Sequence, residues 1–191
     1  MAEAVTRRRF TIEEYHRMGE VGILGDDERL ELIAGHIVVR EPIGSRHAGC
    51  VDHLTRLWTS RLGERAIVRV QNPVVLPHDA SELQPDLMLL APREDFYTRA
   101  HPTPADVLLL IEVADTSLLL DRRVKMPLYA RAGIQEAWLV DLTTRRVDVH
   151  RDVTRGRYAS VRKLTATQPL TVNAFPDIAL TVAELLGPSG G

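Results

Sequence analysis

The sequence predicts an α/β fold, a mixed β-sheet flanked by helices. Three stretches carry that expectation. Leu108–Asp141 starts with an apolar run that closes on Glu112 and passes Asp115-Thr116-Ser117. It continues through a helical pattern bearing Asp121 and Lys125, then Gly133, to a second apolar run, Ala137–Val140. Strand, helix, strand at this length makes two parallel strands joined by a right-handed crossover. Val51, Leu54, Trp58 and Leu62 recur at spacings of three and four, the pattern of a helix laid on a core. Val147 and Val149, then Tyr158 and Val161, alternate with polar residues on either side of Gly156, which predicts an antiparallel hairpin extending the sheet.

The remaining elements follow in chain order. Residues 1–9 end in Arg7-Arg8-Arg9 and read as a flexible arm, either solvated or in contact with phosphate. Thr11 caps a short helix, with Glu14 in capping-box spacing and Gly19 and Gly22 as its stop. Leu30, Leu32, Ile37 and Val39 mark two short strands about an Ala34-Gly35 turn. Glu31, in the first of them, either faces solvent or reaches inward to a site. A helix from Ser45 or Arg46 to about Leu62 stops at Gly63. His47 lies in its first turn, where the helix dipole disfavours a cation and suits a neutral, hydrogen-bonding imidazole. Ile67–Val70 and Val74–Leu76 read as one ribbon bent at Asn72-Pro73. Pro77–Gln84 reads as a polar loop, Asp86 as the head of an apolar strand, and Pro92–Pro104 as a surface loop. Ile178–Leu186 supplies a last strand or helix. Residues 10–187 are expected to form one domain, followed by a flexible tail at 188–191.

The chain has 191 residues, 45% apolar and 26% charged, which is ordinary for a globular protein and enough for a sizeable core. Aromatics at 5% argue against a base-stacking platform. A net charge of −2 neither requires nor excludes nucleic acid, because a basic groove can sit inside a neutral total. The single cysteine, Cys50, has no internal partner and no CxxC motif, so a buried structural thiol is favoured over a reactive one. There is no signal-peptide pattern, and no apolar run approaches the ~20 residues of a membrane span. The expectation is a cytoplasmic protein without membrane contact.

The candidate chemistry starts from Asp86 and Glu112. Each closes one end of an apolar strand; if the strands are neighbours, the carboxylates converge. Two carboxylates in one low-dielectric place repel unless protonated or bridged by a cation. Oxygen-only ligands favour Mg²⁺ or Mn²⁺. The bland alternative is two solvated strand ends. Asp121 and Lys125, four apart, share a helix face. If that face turns toward the strand end, Lys125 can steady negative charge there; otherwise the two form an exposed ion pair. Gln71, on the bent strand, is either a site residue or an ordinary strand amide. Tyr129 and Trp138 read as packing residues.

In order, Pro85-Asp86, Ile111-Glu112-Val113, Asp121-xxx-Lys125-xxx-Tyr129-xxx-Gly133 and Glu136-Ala137-Trp138-Leu139-Val140-Asp141 resemble the Uma2 family, restriction-endonuclease-like proteins within the PD-(D/E)xK nuclease superfamily. Leu30-Glu31-Leu32-Ile33-Ala34-Gly35 resembles that family's N-terminal "ELIDG" segment, and Arg46-His47 the histidine opening its first core helix. The resemblance spans roughly residues 10 to 187. It implies a restriction-endonuclease-like mixed sheet with an extra N-terminal helix and hairpin. It also implies a Mg²⁺- or Mn²⁺-dependent endonuclease acting on DNA, with Asp86 and Glu112 as metal ligands and Lys125 as the catalytic lysine. Glu31, His47, Gln71 and Asp121 would line the site. In the superfamily the lysine stands two residues after the second carboxylate; here that position is Ala114, and Lys125 on the following helix takes its place. Asp115-Thr116-Ser117 replaces the family's usual Ser-Pro-Ser-Thr, and Pro127 interrupts the helical pattern, which would start that helix near Val124 and leave Asp121 in a loop. An inactive, nuclease-like binding module is the alternative that Ala114 favours. A homodimer would suit cutting both strands of a duplex.

Overall fold

The computed structural model describes residues 7–25 and 27–187. The expected tail at 188–191 and most of the expected arm lie outside the described residues. Helix α1 (Ile12–Glu20) begins at the Thr11 capping box formed with Glu14, as its spacing requires. Gly19 lies inside this helix rather than ending it. Strands β1 (Leu30–Ile33) and β2 (His36–Val39) form a hairpin about Ala34-Gly35, both at positive φ. Helix α2 (Ser45–Leu62) follows and buries Val51, Leu54, Trp58 and Leu62.

The core is a six-stranded mixed sheet in the order β10-β9-β8-β7-β6-β3. It is built from β3 (Ile67–Val70), β6 (Leu87–Leu90), β7 (Val107–Ala114), β8 (Glu136–Asp141), β9 (Arg146–Thr154) and β10 (Arg157–Leu164). Strands β7 and β8 are parallel and every other pair is antiparallel. Period-2 alternation divides the side chains between two layers. Leu87, Leu89, Leu109, Ile111, Trp138 and Val140 pack with α2 and with α5 (Val182–Leu186). Met88, Leu110, Ala114, Ala137 and Leu139 pack with the crossover helix and a second sheet.

That second sheet corrects the expected loop and the expected ribbon. Pro77–Gln84 is not a loop throughout: a 3₁₀ turn (Pro77–Asp79) leads into β5 (Ser81–Leu83). Strand β5 joins β1 and β4 (Val74–Leu76) in the order β2-β1-β5-β4. Three residues with one apolar side chain carry too little periodicity to be read as a strand. The bend after β3 is sharper than one ribbon allows, because β3 and β4 belong to different sheets and Gln71 between them has φ +48°.

The crossover is one continuous helical run: α3 (Leu118–Leu120), a π-helical stretch (Asp121–Lys125) and α4 (Met126–Ala132). The expectation that Pro127 leaves Asp121 in a loop is therefore wrong. Proline in a regular helix removes a hydrogen bond and crowds the carbonyl four residues back; the wider π turn just before it relieves that crowding. Strand β7 also continues two residues past Glu112, so this carboxylate is not at the strand's end. The C-terminal expectation was incomplete: β11 (Pro169–Val172) and β12 (Phe175–Thr181) form a separate hairpin before α5.

Candidate functional site

Strand register assembles the site. Strands β6 and β7 pair with Leu87 opposite Ile111 and Met88 opposite Leu110. One more step along that register sets Asp86 across from Glu112. On the other side, Val70 pairs with Leu87, and the Gln71 amide donates to the Asp86 carbonyl at 3.2 Å. Gln71, Asp86 and Glu112 thus form a row across three neighbouring strands. Alternation puts Asp86 on the side of Met88, and Glu112 on the side of Leu110 and Ala114, which is the face covered by the crossover helix.

Residues from three further elements meet that row. From the helical run, Lys125 Nζ lies 3.3 Å from Glu112 Oε1, 3.0 Å from Glu31 Oε1 and 4.0 Å from Asp121 Oδ1. Its side chain therefore faces the sheet rather than solvent. From α2, His47 Nε2 lies 3.0 Å from Asp86 Oδ1. From the hairpin, Glu31 accepts the Gln84 amide at 2.7 Å, and Gln71 Nε2 donates to Asp86 Oδ1 at 3.3 Å. All seven residues singled out in the sequence, Glu31, His47, Gln71, Asp86, Glu112, Asp121 and Lys125, fall in this one network.

Three contributors were not foreseen. Arg40, just past β2, places Nη2 3.4 Å from Asp86 Oδ1 and Nε 3.9 Å from Glu31 Oε1. The Tyr129 hydroxyl donates to Glu112 Oε1 at 2.5 Å, and the Val113 amide donates to Asp86 Oδ2 at 2.8 Å. Tyr129 follows Lys125 by four residues, so their shared helix face was available as a signal. Nothing in the order of residues marks Arg40, because its role depends on how the hairpin folds over the sheet.

The charges do not balance. Glu31, Asp86, Glu112 and Asp121 are four carboxyl groups, each 3% exposed or less, and Arg40 and Lys125 are two permanent cations. With every carboxyl ionised, four against two would leave an excess of two negative charges. Burial, followed by the Asp121, Asp86 and Glu31 charges against the pull of Lys125, drives the Glu112 carboxyl well above its ordinary value. Asp86 goes the other way. Burial alone would raise it, but the His47 contact, the Val113 amide and Arg40 together hold it low. Lys125 is raised despite its burial because Glu112, Glu31 and Asp121 surround it. Tyr129 is also raised, by burial and then by Glu112, so it stays a hydrogen-bond donor. Burial, and then the Asp86 charge, lifts the Cys50 thiol to about 11, which suits a structural cysteine.

This network floors a pocket of about 730 Å³ between the hairpin and the start of the helical run. Among the described residues no three His, Cys, Asp or Glu side chains are already grouped as metal ligands. Two carboxylates completed by water are nevertheless a set that Mg²⁺ accepts, and a divalent ion would offset the excess that full ionisation leaves. Asp86 and Glu112 are the pair that could hold it. No described helix is long and apolar enough to cross a membrane.

Comparison with known proteins follows the same line. The fold is similar to a solved structure described as "a putative nuclease belonging to DUF820 from Anabaena variabilis ATCC 29413", with a TM-score of 0.73 at 14% identity, over 93% of this chain and 97% of that one. At that identity the likeness concerns the fold alone. No curated protein matches the chain. The family model described as "Uma2: Putative restriction endonuclease" matches residues 12–183, nearly the whole length, and the chain belongs to the Uma2 family.

Proposed function

We propose that this protein is a divalent-metal-dependent endonuclease that hydrolyses phosphodiester bonds in DNA, with Asp86 and Glu112 as the metal ligands and Mg²⁺ or Mn²⁺ as the metal. The observation that carries this reading is four buried carboxyl groups against two cations at the floor of an open pocket, an excess that only a bound proton or a bound cation relieves. Isolated buried carboxylates are costly and persist where something binds them. Bound there, the ion supplies Lewis acidity toward a phosphoryl oxygen and a nucleophilic water.

The chain's own groups have separable tasks in this reading. The Val113 amide and His47 fix the Asp86 carboxylate, and the Tyr129 hydroxyl fixes Glu112. Lys125 brings an ammonium beside Glu112 and can steady the charge that builds on phosphate in the transition state. Glu31 and Asp121 hold Lys125 in that position. The absence of a lysine at position 114 is the ground for an inactive binding module. The approach of Lys125 to Glu112 weakens that ground, because an ammonium reaches the same carboxylate from the helix.

A nuclease assay with Mg²⁺ on supercoiled, linear duplex and single-stranded DNA tests the reading, parent beside Asp86→Asn and Glu112→Gln. Cleavage by the parent and its loss in both folded variants is the expected result. Cleavage that survives in both variants would show that the metal assignment is wrong. Binding of DNA without turnover under any metal would favour the inactive module.

A further inference from the structure

The mouth of the pocket does not resemble a duplex-binding surface. Eight large apolar side chains are exposed among the described residues, and four of them line this one pocket: Val39 at 72%, Ile43 at 38%, Leu119 at 63% and Leu120 at 39%. Val39 and Ile43 belong to the lip formed by β2 and the chain after it. Leu119 and Leu120 belong to the opposite lip, at the start of the helical run. Single exposed apolar residues need no explanation, but a cluster around a charged floor does.

The same wall carries two guanidinium groups. Arg29 and Arg40 both line the pocket and are neighbours, since the Arg40 amide donates to the Arg29 carbonyl at 2.7 Å. Asp86 at 3.4 Å and Glu31 at 3.9 Å are the counter-ions of Arg40, on its floor side. Arg40 is held loosely, with hydrogen bonds of 3.4 and 3.5 Å to Asp86 and Gln84, so its donors are available to a better acceptor.

Duplex DNA presents phosphates and sugars outward and hides its base faces in the stack. Aliphatic lips offer nothing to that surface, and the floor beneath them is buried. An unpaired strand exposes base faces and phosphates together. Building on the proposed nuclease reading, we infer that the strand segment entering this pocket is unpaired, with bases against Val39, Ile43, Leu119 and Leu120 and phosphates at Arg29 and Arg40. The lips are tied across the mouth by the Thr116 hydroxyl donating to Glu41 at 3.2 Å, and Arg46 pairs with Asp115 beside it at 3.2 Å. Both are exposed contacts of the kind that contributes little, so the lips can part.

Fluorescence anisotropy with Ca²⁺ in place of Mg²⁺ reads binding without turnover. The probes are a labelled single strand, its blunt duplex and a duplex with an unpaired tail. The parent should bind the single strand and the tailed duplex about tenfold or more tightly than the blunt duplex, a difference of about 1.4 kcal/mol. Leu119→Ser with Leu120→Ser should bring that ratio toward one, and Val39→Ser should do so from the other lip. A thermal melt checks that each variant folds. Equal affinity for the blunt duplex overturns the inference. So does a parent dimer that the leucine variant dissociates in sedimentation, because the lips would then cover a second copy. If Mg²⁺ cleaves duplex and single strand alike, the unpaired-strand inference fails while the nuclease reading stands. If no DNA is bound or cut, both fail.

Discussion

Glu112 and Glu136 lie on adjacent parallel strands, β7 and β8, and each is 1% exposed, yet their surroundings differ in kind. Glu136 is fully answered. Its Oε1 accepts from Arg151 Nε at 2.8 Å, Arg151 Nη2 at 2.6 Å and Trp138 Nε1 at 2.8 Å, and its Oε2 accepts the Asn173 amide at 2.8 Å. One carboxylate meets one arginine, and Glu136 does not line the pocket above Glu112. Glu112 shares its only nearby ammonium, Lys125, with Glu31 and Asp121, and stands on the floor of a pocket. Burial alone therefore does not set the proposed metal ligand apart from a structural carboxylate. The marks are unbalanced charge and access to solvent space.

The comparison can be broken most directly by removing each charge. Glu112→Gln should abolish metal-dependent cleavage, a loss on the order of 10²–10³-fold or more, while leaving the metal-free protein as stable as the parent or more so. Glu136→Gln should do the reverse. It strands Arg151 in a largely buried position, costs about 3 kcal/mol in a denaturant melt, and leaves the rate per folded molecule unchanged. If the two variants behave alike, the distinction between the sites is wrong.

Lys125→Met should combine both effects. It leaves Glu31, Glu112 and Asp121 without their shared cation, so urea titration should show a loss of about 3 kcal/mol, and cleavage should fall with it.

The pH dependence sharpens the contrast. Glu112 titrates in the folded protein well above its ordinary 4.5. Above 4.5 the folded state therefore holds more protons at this site than the unfolded chain, and stability falls as pH rises through the folded value. The low Asp86 acts oppositely: its contribution is present above the ordinary 3.8 and is lost as pH falls through the folded value. In metal-free protein, the melting temperature should decline on the alkaline side of 4.5. Mg²⁺ should offset that decline increasingly with pH, because binding displaces the Glu112 proton. Glu112→Gln should flatten both trends. Tyr129→Phe is the smallest expected effect: one hydrogen bond to Glu112 is lost, worth about 1 kcal/mol, with cleavage reduced several-fold.

Much of the candidate site's assembly could be read from the order of residues, for a physical reason. Asp86, Glu112 and Lys125 sit at positions fixed by strand period and by one helix face, and local pattern encodes both. The β7-β8 crossover and the 146–164 hairpin were legible for the same reason. What local pattern does not encode is tertiary assembly. Strand β5 carries too few apolar residues to announce itself. The split of β3 and β4 between two sheets depends on the turn at Gln71. Arg40 reaches Asp86 only because the N-terminal hairpin folds over the sheet. Pro127 was misread because its effect depends on the π turn before it, which no propensity scale anticipates. Glu136 shows the converse: it was not flagged, although it is buried as deeply as Glu112, because only its partner Arg151 on the next strand reveals a structural role.

Calorimetric titration of Mn²⁺ into the metal-free parent and into Glu112→Gln, near neutral pH and without DNA, tests the reading of the charge excess most directly. One ion per chain should bind the parent with release of protons, and binding should be lost or greatly weakened in the variant. A parent that binds no Mn²⁺, or a variant that binds it as tightly, would contradict the assignment of the excess charge to a metal.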